Sequence, residues 1–122
     1  MSGSTDDNTF EKVKSNISSS DSILVILDSN HSKEHVYKEL IKYSQLVKRG
    51  GFIVACDGIM KDLKGAPRTT EDWIWDNPIS AIEKFIEENK EFEIIEPKWP
   101  FNEGLIEERI TYWPQAYLRK KL

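Results

Sequence analysis

What most constrains the fold is Ile23-Leu24-Val25-Ile26-Leu27, five consecutive aliphatic residues that stop abruptly at Asp28-Ser29-Asn30-His31. An unbroken apolar run of this length reads as a buried parallel strand, apolar on both faces because helices cover both. A helical pattern starts at once: Ser32 is a natural N-cap, Val36, Leu40, Tyr43 and Val47 recur with helical period, and Gly50-Gly51 ends it. Gly51-Phe52-Ile53-Val54-Ala55-Cys56 is a second short strand, closed by Asp57-Gly58. Strand, helix and strand at this spacing form a βαβ unit whose strands are parallel neighbours. In open α/β sheets ligands collect beyond the carboxyl ends of the strands, so Asp28, His31 and Asp57 stand where chemistry is usually done.

The flanking segments fit an α/β architecture. Phe10, Val13 and Ile17, behind the capping cluster Ser4-Thr5-Asp6-Asp7, predict a short amphipathic helix before the first strand. Ile59 to Trp75 has no clean period and carries Lys61, Asp62, Lys64, Gly65, Pro67 and Arg68, which predicts a long loop. Asn77 as cap and Pro78 at the first helical position open another helix, whose buried face is Ile79, Ile82, Phe85 and Ile86 up to Asn89. A third strand is expected at Phe92-Glu93-Ile94-Ile95 and a last one around Ala116-Tyr117-Leu118.

A chain of 122 residues suits one domain, and 39% hydrophobic residues with four tryptophans supply a core. A net charge of −4, with only the short basic tail Arg119-Lys120-Lys121, gives no electrostatic footprint for nucleic acid or an anionic membrane. The lone Cys56 rules out an internal disulfide and suits a reducing compartment. No apolar run approaches the roughly 20 residues that span a bilayer. The start of the chain is polar and acidic where a secretory leader is basic and then apolar. A soluble, cytoplasmic protein acting on a small molecule is expected.

Asp28 and Asp57 lie 29 residues apart, one βαβ period. Neighbouring strands run about 4.8 Å apart, so two such carboxylates can share a hard cation of the magnesium type. Each aspartate could equally cap a helix or loop. His31 is the candidate general base, histidine being the side chain that ordinarily exchanges a proton near neutrality. His35 follows at i+4, but the glutamate and third ligand of a zinc-peptidase motif are not in place. Cys56, inside an apolar strand end, reads as a buried structural thiol. Trp73 and Trp75, with Trp99, Phe101 and Trp113, could wall a site for a flat or sugar-like substrate or simply cover the sheet edge. Glu87-Glu88 and Glu107-Glu108 read as solvated faces.

Several of these segments, in order and spacing, resemble the cephalosporin hydroxylase and rhamnosyl O-methyltransferase family. They are Leu27-Asp28-Ser29-Asn30-His31-Ser32-Lys33-Glu34-His35-Val36, Tyr43-Ser44, Val54-Ala55-Cys56-Asp57-Gly58 with Ile59-Met60-Lys61-Asp62-Leu63, Trp75-Asp76-Asn77-Pro78, Trp99-Pro100-Phe101-Asn102, and Tyr112-Trp113-Pro114 before Tyr117-Leu118. The resemblance implies the Rossmann-like fold of class I methyltransferases, S-adenosylmethionine as cofactor and, in some members, Mg2+ beside it. Asp28 matches the family's first metal-binding aspartate, and Asp57 matches one of an acidic pair. Cys56 stands where better-characterised members carry glutamate. His31 falls where metal-dependent catechol-type methyltransferases place a lysine base.

The Gly-rich loop and acidic residue that hold the cofactor in this fold have no counterpart in residues 1–122, and Gly3-Ser4-Thr5 is similar to an internal stretch of the family. The chain therefore resembles the carboxyl-terminal half of the domain, a single partial domain with sheet order first, second, fourth, third and a final antiparallel pair. The implied activity is metal-assisted O-methylation of a small molecule or sugar, absent from the isolated chain. Two other readings stay open: an iron-dependent hydroxylase, with His31, His35 and Asp28 as ligands, and a non-catalytic half-domain that assembles with a partner or with itself through an uncovered strand edge.

Overall fold

The computed structural model describes residues 3–98 and 109–122; the expected aromatic positions Trp99 and Phe101, the Trp99-Pro100-Phe101-Asn102 segment and Glu107-Glu108 lie outside them. The fold is α/β, with a four-stranded mixed sheet in the order β1-β2-β4-β3. β1 (Val25–Leu27) pairs parallel with β2 (Phe52–Ala55), whereas β4 (Tyr117–Lys120) runs antiparallel to both β2 and β3 (Phe92–Ile94). This is the strand order expected. Between β1 and β2 runs α2 (Lys33–Tyr43), and α3 (Pro78–Glu88) precedes β3. The last helical-looking position of the α2 pattern differs from expectation: after Tyr43 the chain tightens into a 3-10 turn at Ser44–Leu46, and Val47 is extended yet still buried.

One face of the sheet carries the main core. Val25 and Leu27 of β1, Ile53 and Ala55 of β2 and Leu118 of β4 pack against Val36 and Leu40 of α2 and Ala81, Ile82 and Phe85 of α3. Phe85 meets Phe92 edge-on at 5.3 Å between ring centroids. The period-2 alternation of strands and the helical spacing of α2 and α3 thus turn toward the same interior. The expectation that β1 is buried on both faces is corrected. Leu24 and Ile26 are each 60% exposed, because β1 is an edge strand and the helices of the main core lie on the opposite face. On the second face Leu24, Phe52, Val54, Ile95, Pro97 and Tyr117 line an open apolar trough of about 360 Å³.

The loop expected over Ile59 to Trp75 is also more ordered than its sequence suggests, for it contains 3-10 turns at Gly58–Asp62 and Glu71–Ile74. Short polar stretches without apolar period can still close i to i+3 bonds, as Met60 N–H to Asp57 O (3.1 Å) and Trp75 N–H to Asp72 O (3.0 Å) do. α1 (Asp7–Ser15) is capped by Asp6, whose Oδ1 accepts from Thr9 N at 3.1 Å. Its one buried residue, Phe10, sits edge-on to Tyr43 of α2, and Lys42 pairs with Asp7. Among the described residues, no helix is long and apolar enough to cross a membrane.

Asn77 is fully buried at the start of α3. Its Oδ1 accepts from Ser80 N at 2.9 Å while its Nδ2 donates to Trp73 O at 2.8 Å, so one side chain caps the helix and ties down the preceding turn. Asn77→Ala is expected to lower the unfolding free energy by about 1–3 kcal/mol, read as a lower midpoint in urea with an unchanged slope.

Candidate metal centre

Register brings the two strand ends together. Leu27 pairs with Ala55, and Cys56 N donates to Leu27 O at 3.0 Å, so the parallel ladder continues until Asp28 lies beside Cys56 and Asp57 one residue beyond. Asp57 then takes a left-handed conformation (φ 58°, ψ 28°), which aspartate tolerates better than most residues, and the chain breaks from the sheet into the Gly58–Asp62 turn. Gly58 makes that departure possible. A Cβ there would sit 2.8 Å from Pro114 O and 2.9 Å from Ile79 Cγ1.

At the end of β1, short polar side chains shape the turn into α2. Asn30 Oδ1 accepts from Ser32 N at 2.9 Å, Ser32 Oγ accepts from His35 N at 3.4 Å, and Asp76 Oδ1 accepts from Lys33 N at 2.6 Å. Ser29 Oγ donates to the buried Glu39 Oε1 at 2.9 Å. Asp28 and His31 are left facing the rim of the sheet.

There the structure brings Asp28, His31 and Asp57 together, with one donor atom from each lying within 4.8 Å of the others. His31 Nε2 is 3.5 Å from Asp28 Oδ1 and 3.3 Å from Asp57 Oδ2, but at neither does the geometry make a hydrogen bond, and this buried nitrogen has no partner. The carboxylates are more open, with side chains 59% and 38% exposed. Two anionic oxygens and an unpartnered imidazole nitrogen converging at a wet rim form a donor set that suits a divalent cation retaining several waters.

The remaining candidates go elsewhere. His35 Nε2 lies 3.1 Å from Ser4 Oγ and 3.4 Å from Glu39 Oε1, so His31 and His35 do not join in a zinc pair or a two-histidine iron triad. Cys56 is 1% exposed, packed with Val54, Ala116 and Tyr117. Burial, followed by the charges of Asp28 and Asp57, pushes its thiol up to about 11, so it is neither a thiolate nor a ready ligand. Trp75, 63% exposed, lines a pocket of about 430 Å³ with Ser32, Lys33, Glu34, Tyr37, Asp76 and Lys84. Trp73 is half-buried and does not line that pocket, and Trp113 is exposed. Sequence reasoning missed Glu39. Its position three residues after Val36 and one before Leu40 puts it on the buried stripe of α2, and a carboxylate there was the available signal.

A family model described as rhamnosyl O-methyltransferase/CmcI matches residues 1–121. No curated protein and no solved structure matches the chain.

The packing of Cys56 carries a direct expectation. At pH 8 the native protein is expected to react with iodoacetamide about ten-fold or more slowly than the urea-unfolded chain, measured by intact-mass spectrometry over time.

Proposed function

Because the chain belongs to the rhamnosyl O-methyltransferase/CmcI family, we propose that it serves metal-assisted transfer of a methyl group from S-adenosylmethionine to a hydroxyl of a small molecule or sugar. The observation that carries this reading is the convergence of Asp28, His31 and Asp57 at the carboxyl ends of two parallel strands. In this reading Asp28 and Asp57 hold a divalent cation such as the Mg2+ that some members of the family carry. A bound cation lowers the pKa of a hydroxyl that it contacts and fixes its oxygen for attack. With the cation held by the two carboxylates, His31 Nε2, 3.3 to 3.5 Å from them, would be left as the acceptor for the hydroxyl proton. Trp75 offers an exposed aromatic face to the acceptor in the pocket that begins at Ser32, one residue past His31. Trp73, behind it, contributes by holding the turn through its carbonyl, which accepts from Asn77.

The sheet order supports reading this α/β unit as the later half of a Rossmann-like class I methyltransferase sheet, in which a parallel pair is followed by an antiparallel pair. The chain then supplies the metal and acceptor side of the site. Among the described residues no glycine cluster follows a strand, and in this reading donor binding belongs to residues of the kind found in the family's Gly-rich segment.

Titration of the protein with Mn2+, followed by the loss of free-ion electron paramagnetic resonance signal, tests the metal site. Asp28→Asn and Asp57→Asn are each expected to weaken binding by about ten-fold or more. Equal binding by the double variant would overturn the assignment. With S-adenosylmethionine and a panel of hydroxylated acceptors, the chain alone is expected to give no methylated product by mass spectrometry, and turnover would refute the division of labour.

A further inference from the structure

We infer that Glu39 is a positioning residue, a buried carboxylate on α2 that holds the Asp28–His31 turn in place through Ser29; its functional consequence rests on the metal reading above, its geometry does not. The Glu39 side chain is 3% exposed, Oε1 accepts from Ser29 Oγ at 2.9 Å, and Oε2 has no hydrogen-bond partner. The stripe it interrupts is otherwise apolar, with Val36 and Leu40 buried on either side. A leucine or methionine at this position would continue that stripe, whereas a half-satisfied buried carboxylate costs stability. What the carboxylate does is specific: it takes the hydroxyl of the residue immediately after Asp28.

Two further ties, Ser32 N to Asn30 Oδ1 and His35 N to Ser32 Oγ, are local and shape the turn, while Lys33 N to Asp76 Oδ1 fixes the start of α2 to the segment before α3. Ser29 ties the turn to the body of α2: its Oγ donates to Glu39 Oε1 at 2.9 Å, ten residues on, and lies 3.4 Å from His35 Nε2. The same carboxylate lies 3.4 Å from His35 Nε2, which also meets Ser4 Oγ, so the segment before α1 closes over this node. Outer groups of this kind, which orient ligand-bearing loops, typically change metal affinity when removed even though they touch no metal.

The test compares Glu39→Gln, which keeps an acceptor oxygen for Ser29, with Glu39→Leu and Ser29→Ala, which remove the bond from either end. Two readouts are taken: Mn2+ affinity and the His31 imidazole resonance in proton–carbon NMR spectra, assigned by its absence in His31→Asn. Glu39→Leu and Ser29→Ala are expected to shift or broaden the His31 signal and to weaken Mn2+ binding by about ten-fold or more, while Glu39→Gln keeps both near the parent. If Glu39→Leu does not fold, Ser29→Ala carries the comparison. An unmoved His31 signal with unchanged Mn2+ affinity in Ser29→Ala overturns the inference and leaves the metal reading standing. A parent protein that binds no Mn2+, but whose His31 signal moves in Ser29→Ala and not in Glu39→Gln, refutes the metal reading and supports the positioning role.

Discussion

The parallel pairing of β1 with β2 is the constraint on which the rim depends. Val25 lies opposite Ile53 and Leu27 opposite Ala55, and all four turn their side chains into the core beneath α2 and α3. A slip of one residue would carry the β1 side chains to the other face, expelling Val25 and Leu27 from that core. Burial therefore selects the register. The register in turn decides that Asp28 ends beside Cys56 and within reach of the carboxylate that follows it, so packing energy spent in the interior sets a distance between charges at the surface.

Most of this was legible in residue patterns, for identifiable reasons. Ser32 and Asn77 act as caps where their type and position announced them, because a cap satisfies backbone donors that any helix must expose. The meeting of Asp28 with Asp57 followed from the βαβ spacing, and the strand order from the family resemblance. Other features were hidden because they depend on what lies on the far side of an element. Ile26 and Leu24 are as apolar as Val25 and Leu27, and only the placement of the helices shows which pair faces water. Glu39 is set apart from the other charges of α2 only by its burial between Val36 and Leu40. The third donor of the rim was equally hard to foresee as geometry: Cys56 turns inward with Val54 and Ala116, and the imidazole of His31 comes down from the turn to stand between the carboxylates.

Buried polar atoms in this molecule are satisfied to different degrees, and the gradient follows their work. Asn77 uses both its oxygen and its nitrogen and belongs to the scaffold. Glu39 uses one oxygen of two, and His31 Nε2 uses none. Unmet hydrogen-bonding capacity in a low-dielectric setting is costly, so it persists where something other than folding requires it. Moving from Asn77 through Glu39 to His31 is also moving from the helix scaffold to the sheet rim.

The apolar trough on the second face of the sheet has a practical consequence. A groove walled by Leu24, Phe52, Val54, Ile95, Pro97 and Tyr117 offers environment-sensitive fluorophores a place to dock before any unfolding takes place. Fluorescence from such a reporter would start high in the native protein and blur its melting transition, which makes intrinsic tryptophan emission or circular dichroism the sounder gauge of thermal denaturation.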